Sequence, residues 1–125
     1  MLLGIDHVQV AAPAGSDDEA RRFYGDLLGL PELVKPPLLL ARGGGVWFAC
    51  GAQQLHVGIS EPFAPADKAH PAFQVRLAEL DALATRLTEA GAPVRWDDAI
   101  PGVRRFYTAD PWGNRIELVG APGSD

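Results

Sequence analysis

Residues 4–12, "GIDHVQVAA", alternate between polar and apolar positions, the pattern of a half-buried strand. Residues 16–30, "SDDEARRFYGDLLGL", change to helical spacing. Ala20, Phe23, Tyr24, Leu27 and Leu28 form one apolar stripe, Ser16 and Glu19 suggest a capping box, and Gly29 supplies the stop. "LLLAR", a "GGG" turn and "VWFACG" predict a hairpin over 38–51, and "QQLHVGI" at 53–59 predicts a further strand. The polar, proline-containing stretch 60–69, "SEPFAPADKA", reads as a connector.

The same order then returns. "HPAFQV" at 70–75 predicts a strand. "AELDALATRLTEAGA" at 78–92 predicts a helix with Leu80, Leu83, Ala84 and Leu87 on one face, ended by Gly91. "PVRWDD", "VRRFYTAD" and "NRIELVG" predict three more strands. His7 with His70, Gly29 with Gly91, and His56 with Glu117 recur at a period of about 62 residues. The expected architecture is α+β: two tandem βαβββ modules within one domain over 1–125. Module 1 covers about 4–59, the connector 60–69 and module 2 about 70–120.

Alternation assigns chemistry to one face of these strands. His7 and Gln9 share a face, as do His70, Ala72 and Gln74; His56 lies opposite Leu55 and Val57, and Arg115 and Glu117 lie opposite Ile116 and Leu118. If the two copies pack around a pseudo-twofold axis, His7, His56, His70 and Glu117 meet at one point. Three imidazoles and a carboxylate suit a divalent ion such as Fe, Ni, Co, Zn or Mn, with positions left open for substrate. Gln9, Gln74, Arg115 and Trp47 are the expected substrate contacts. Arg115 could bind an anionic group or pair with Glu117. His56 and Tyr107 are the candidates for moving a proton. Arg104 and Arg105 read as solvated surface, and Asp110 in "DPWGN" as a turn cap.

Composition narrows the partners. A net charge of -5 and no basic run argue against nucleic acid. No long apolar stretch predicts a membrane span or leader, so the default location is cytoplasmic. The single cysteine, Cys50, sits in an apolar run and reads as a core residue.

The stretches "IDHVQVAAP", "ARRFYGDLLGLPE", "HPAFQV", "LTEAGAPV" and "FYTADPWGNRIELV" together resemble the vicinal oxygen chelate superfamily, also called the glyoxalase / bleomycin resistance / dioxygenase family. The resemblance implies two βαβββ modules curled into an open, eight-stranded barrel-like cleft, with a metal held by the first and last strands of each module. Carried onto this sequence, the ligands are His7, His56, His70 and Glu117. It also implies a homodimer, and a small substrate presenting two neighbouring oxygens, whose developing negative charge the metal stabilises. Glyoxalase I-like enzymes place a proton-shuttling glutamate where this chain has His56, which departs from that branch. The expectation is a glyoxalase-like lyase or isomerase, a dioxygenase or a drug-modifying enzyme. The alternative is a metal-free, antibiotic-binding protein of the bleomycin-resistance kind, with Trp47, Phe48, Trp96 and Trp112 lining its cleft.

Overall fold

The computed structural model describes all 125 residues, Met1–Asp125, and the chain divides into two compact units, Met1–Pro65 and Ala66–Asp125. No helix is long and apolar enough to cross a membrane.

The first unit runs β1 (His7–Ala12), α1 (Asp17–Ala20) continuing directly as a π-helical stretch (Arg21–Leu27), β2 (Glu32–Leu33), α2 (Pro37–Leu40), β3 (Val46–Cys50) and β4 (Gln53–Ile59). Its sheet has the order β1-β4-β3-β2, with β1 parallel to β4 and the other pairs antiparallel. Val10, Val46, Phe48, Leu55 and Val57 are buried on one side of the sheet, and Ala20, Phe23 and Tyr24 of the helical segment are buried with them. Tyr24 meets Phe48 at a ring separation of 6.1 Å.

The second unit repeats this plan. β5 (Ala72–Val75) leads through a 3-10 turn (Leu77–Glu79) into α3 (Leu80–Glu89), followed by β6 (Arg95–Asp97), β7 (Arg105–Ala109) and β8 (Arg115–Gly120). The sheet order is β5-β8-β7-β6, and β5 is parallel to β8. Leu80, Ala84 and Leu87 of α3 are buried together with Phe106, Ile116 and Leu118 of the sheet. Equivalent positions occupy equivalent places: Gln9 pairs with His56 in one sheet and Ala72 with Glu117 in the other.

Four details differ from the sequence reading. The eight strands form two four-stranded sheets rather than one eight-stranded sheet. "LLLAR" is not a strand: Pro37 opens a helical turn at Pro37–Leu40, where its fixed φ and missing N–H are tolerated. The hairpin partner of β3 is therefore β4, joined through Gly51 at φ 57°. The capping box does not form: the Ser16 hydroxyl donates to the Pro13 carbonyl at 2.6 Å, and no side chain caps α1. Phe48 is fully buried, on the side of the sheet away from His56.

The turn between β7 and β8 is built as its sequence suggests. Oδ1 of Asp110 accepts the Trp112 and Asn114 amides at 3.1 and 2.9 Å, and Oδ2 accepts from Asn114 Nδ2 at 2.8 Å. Asn114 Oδ1 accepts the Ala66 amide at 2.9 Å, so the turn also fixes the start of the unit.

Candidate functional site

In the first unit the polar side of the sheet carries an aromatic stack. β4 lies between β1 and β3, so His56 is flanked by His7 on one strand and Trp47 on the other. Its ring stacks on Trp47 at 4.0 Å and 3°, and on His7 at 4.3 Å and 16°. Burial, and then the neighbouring His7, lower the pKa of His56. Its Nε2–H donates to Gln54 Oε1 at 2.8 Å, the tautomer that this acceptor requires. His7 is more exposed, and its Nδ1 lies 2.9 Å from Asp6 Oδ2. These groups, with Gln9 and Trp47, line a cavity of about 830 Å³.

The stack limits what His7 and His56 can do together. A nitrogen lone pair lies in its ring plane, and two near-parallel planes do not meet. One ring would have to turn before both could grip a single ion. The structure brings the two imidazoles together as a stacked pair, not as a chelating one.

In the second unit the equivalent face is ionic. His70 precedes β5, and Pro71 accepts the Glu117 amide at 3.0 Å, which draws His70 beside Glu117. His70 Nε2 stands 3.0 Å from Glu117 Oε1, and its Nδ1 donates to the Lys68 carbonyl at 2.9 Å. Glu117, 8% exposed, is held from the other side by Arg105, whose guanidinium reaches Oε2 at 3.3 Å and Asp97 Oδ1 at 3.2 Å. Burial disfavours the Arg105 charge, but the bond to Glu117 and the nearby Tyr107 and Asp97 outweigh it, so its pKa is raised.

His70 and Glu117 fit a metal in donor chemistry and spacing. A neutral imidazole has one N–H, and Nδ1 uses it on the Lys68 carbonyl. A protonated ring gives a second hydrogen from Nε2 to Glu117 Oε1, and in the neutral ring Nε2 presents a lone pair to the carboxylate, where a cation between them would satisfy both. Two donors at about 2.1 Å from an ion, at right angles, stand about 3.0 Å apart. The carbonyl behind Nδ1 is the kind of partner that orients a ligating histidine. No three His, Cys, Asp or Glu side chains are grouped so as to hold an ion; His70 and Glu117 are a pair.

Tyr107 is on the face of Glu117, paired with it across β7 and β8, and its ring meets His70 edge-on at 5.6 Å. Gln9 and Gln74 are exposed. Arg115 does not pair with Glu117: it is bound to Asp67, and its guanidinium lies 5.2 Å from the Tyr107 ring centre. Arg105, read from sequence as surface, is the true partner of Glu117. Its placement two residues before Tyr107 was the available signal. Trp96 packs against Phe106 on the apolar side and under Arg104, away from this face.

The family model described as the Glyoxalase/Bleomycin resistance protein/Dioxygenase superfamily matches residues 4–118. A metallothiol transferase FosB from Shouchella clausii (strain KSM-K16) is 30% identical over 132 residues, spanning 94% of this chain and 80% of that protein. The crystal structure of a glyoxalase family protein from Bacillus anthracis aligns with a TM-score of 0.89 at 49% identity, covering 96% of each chain. That of a lactoylglutathione lyase from Agrobacterium tumefaciens aligns at 0.73 with 27% identity, covering 96% of this chain and 95% of the other. With the repeated βαβββ plan, these matches place the chain in the glyoxalase/bleomycin resistance protein/dioxygenase superfamily.

Proposed function

We propose that the chain is a divalent-metal-dependent enzyme acting on a small molecule with two neighbouring oxygens, by lyase, isomerase, dioxygenase or drug-modifying chemistry. The observation that carries this reading is the His70–Glu117 pair, with an imidazole nitrogen and a carboxylate oxygen 3.0 Å apart and Nδ1 committed to the Lys68 carbonyl. Relatives named as a metallothiol transferase and a lactoylglutathione lyase support an enzymatic role. A bound divalent ion would act as a Lewis acid towards oxyanion character developing on the substrate.

The chain's own residues have separate tasks. His70 and Glu117 hold the ion. Arg105 occupies Glu117 Oε2 and leaves Oε1 turned to His70. Tyr107, on the same face, is placed to give a proton to a substrate oxygen. His56 is the proton carrier of the first unit, and its burial lowers its pKa, favouring the neutral ring. The expected setting is a cytoplasmic homodimer.

A second reading, a metal-free binding protein, is favoured by the Trp47–His56–His7 stack beside a cavity of about 830 Å³, a volume suited to a drug-sized ligand. Metal analysis of protein purified without added metal separates the two. Stoichiometric metal, lost in His70→Ala and Glu117→Ala, is expected. Protein that stays metal-free when offered Ni, Co, Fe, Mn or Zn would establish the second reading. The same analysis on His7→Ala and His56→Ala shows whether these imidazoles add to the pair. Hemithioacetal, fosfomycin and catechol substrates then sort the reaction types.

A further inference from the structure

Asp97, Arg105 and Glu117 form a row across the polar face of the second sheet. Asp97 on β6 pairs with Arg105 on β7, and Arg105 stands diagonally from Glu117 on β8, one alternation away from the Tyr107–Glu117 pair. Arg105 divides its guanidinium between the two carboxylates. Nη1 donates to Glu117 Oε2 at 3.3 Å and Nη2 to Asp97 Oδ1 at 3.2 Å. Its Nε is buried and has no hydrogen-bond partner. Two other arginines of the chain engage both oxygens of a single carboxylate. Arg21 meets Glu32 through Nε and Nη2 at 3.0 and 3.3 Å, and Arg104 meets Asp81 through Nη1 and Nη2 at 3.1 and 3.0 Å. A planar guanidinium beside a carboxylate favours that double contact. Arg105 lies beside Glu117 and does not adopt it.

We infer that Asp97 is a positioning residue: it holds one end of the Arg105 guanidinium, denies Arg105 a double grip on Glu117, and so keeps Oε1 for His70 and for an ion between them. The Arg105 and Glu117 side chains are only 13% and 10% exposed, and an attraction between opposite charges is strong where water is scarce. A buried donor without a partner is costly, so a turn that gives Arg105 Nε or its second terminal nitrogen a Glu117 oxygen is favoured once Asp97 lets go. That turn would take Oε1 from His70, which now stands 3.0 Å from it. Asp97 is itself fixed, because its Oδ1 also accepts the Ala99 amide at 2.8 Å. The loop after β6 therefore sets where the guanidinium is held. The inference deepens the proposed function and rests on it only in naming an ion as the occupant of Oε1.

Two arms on the whole chain test it. In chelator-treated protein, nitrogen-15 NMR reads the His70 Nε2 resonance, which moves when Glu117 Oε1 is taken from it. Asp97→Ala is expected to shift that resonance. Asp97→Asn keeps an acceptor oxygen for Arg105 and for the Ala99 amide, and is expected to leave it near its wild-type position. In an Arg105→Gln background, where no guanidinium remains to turn, Asp97→Ala is expected to add no shift. In the second arm Zn(II) is titrated in. Asp97→Ala is expected to weaken binding by at least about tenfold and Asp97→Asn by less than about threefold. Added to Arg105→Gln, Asp97→Ala is expected to cost less than about threefold more. A His70 resonance that ignores Asp97→Ala in folded protein overturns the inference. So does an equal shift in the Arg105→Gln background, which assigns the effect to a loosened loop after β6. Wild-type protein that takes up no Zn(II) sinks the metal reading alone, because the metal-free arm still decides the role of Asp97. Zn(II) uptake with an unmoved His70 resonance in metal-free Asp97→Ala sinks the positioning role alone.

Discussion

His70 and Glu117, far apart in the chain, meet at 3.0 Å between Nε2 and Oε1, and each is held from behind: His70 by the Lys68 carbonyl, Glu117 by Arg105. Their outer contacts leave one nitrogen and one oxygen facing each other. Nitrogen-15 NMR of chelator-treated protein checks whether a metal ion takes over that contact. Added Zn(II) is expected to shift the His70 Nε2 resonance and leave the Nδ1 proton in place. Glu117→Gln should lower metal affinity by at least about tenfold. A His70 ring that ignores the metal would remove the pair from consideration.

The first unit should lose stability in mild acid. Burial and the neighbouring His7 lower the His56 pKa. Such a group costs nothing above its unfolded pKa of about 6.5, where both states are neutral. As the pH falls through that value the unfolded chain takes up the proton first, so stability declines until the folded pKa is passed. Melting of chelator-treated protein at about pH 7.5 and about pH 5.5 should show this drop, and His56→Gln should reduce it. An equal drop in the variant would assign the acid sensitivity to other groups.

Gly45 and Gly58 should differ in their tolerance of a methyl group. A Cβ on Gly45 would stand 2.6 Å from the Val57 carbonyl oxygen, at a φ of +107°. A Cβ on Gly58 would meet the Gln9 amide at 2.7 Å, the far end of a side chain that can swing away. Gly45→Ala is expected to cost about 1–3 kcal/mol and Gly58→Ala less than about 1 kcal/mol in denaturant unfolding. The reverse order would mean that the β3–β4 backbone gives way more easily than Gln9.

Asp110 is the single acceptor for two backbone amides and the Asn114 side chain in a buried turn. Asp110→Ala should destabilise the chain by about 1–3 kcal/mol, because donors lose their partner where water has little access. Urea unfolding with an unchanged slope and a lowered midpoint is the expected signature. A variant as stable as the parent would show that Asn114 alone maintains the turn.

The fold was legible wherever one force decided it. The switch from alternation to helical spacing after residue 15, and its return in the second half, marked both modules, because burying one face requires that pattern whatever the partner. "LLLAR" misled because an apolar run fits a strand or a helical turn equally, and Pro37 decided for the turn. Alternation placed His7, His56 and Glu117 on polar faces. It could not show that His56 would be stacked between His7 and Trp47, since that depends on which strands are neighbours.

By itself, then, the sequence determined the duplicated βαβββ order and the side of each strand on which its polar residues stand, since both follow from periodicities of two and 3.6 residues. Only the tertiary structure decided the partners: Arg105 rather than Arg115 for Glu117, Asp67 for Arg115, and the Tyr107 ring for Arg95. Side-chain direction is a local property of the strand. Ion pairing is decided by the register between strands and by the path of the connector, which bring together residues far apart in the chain.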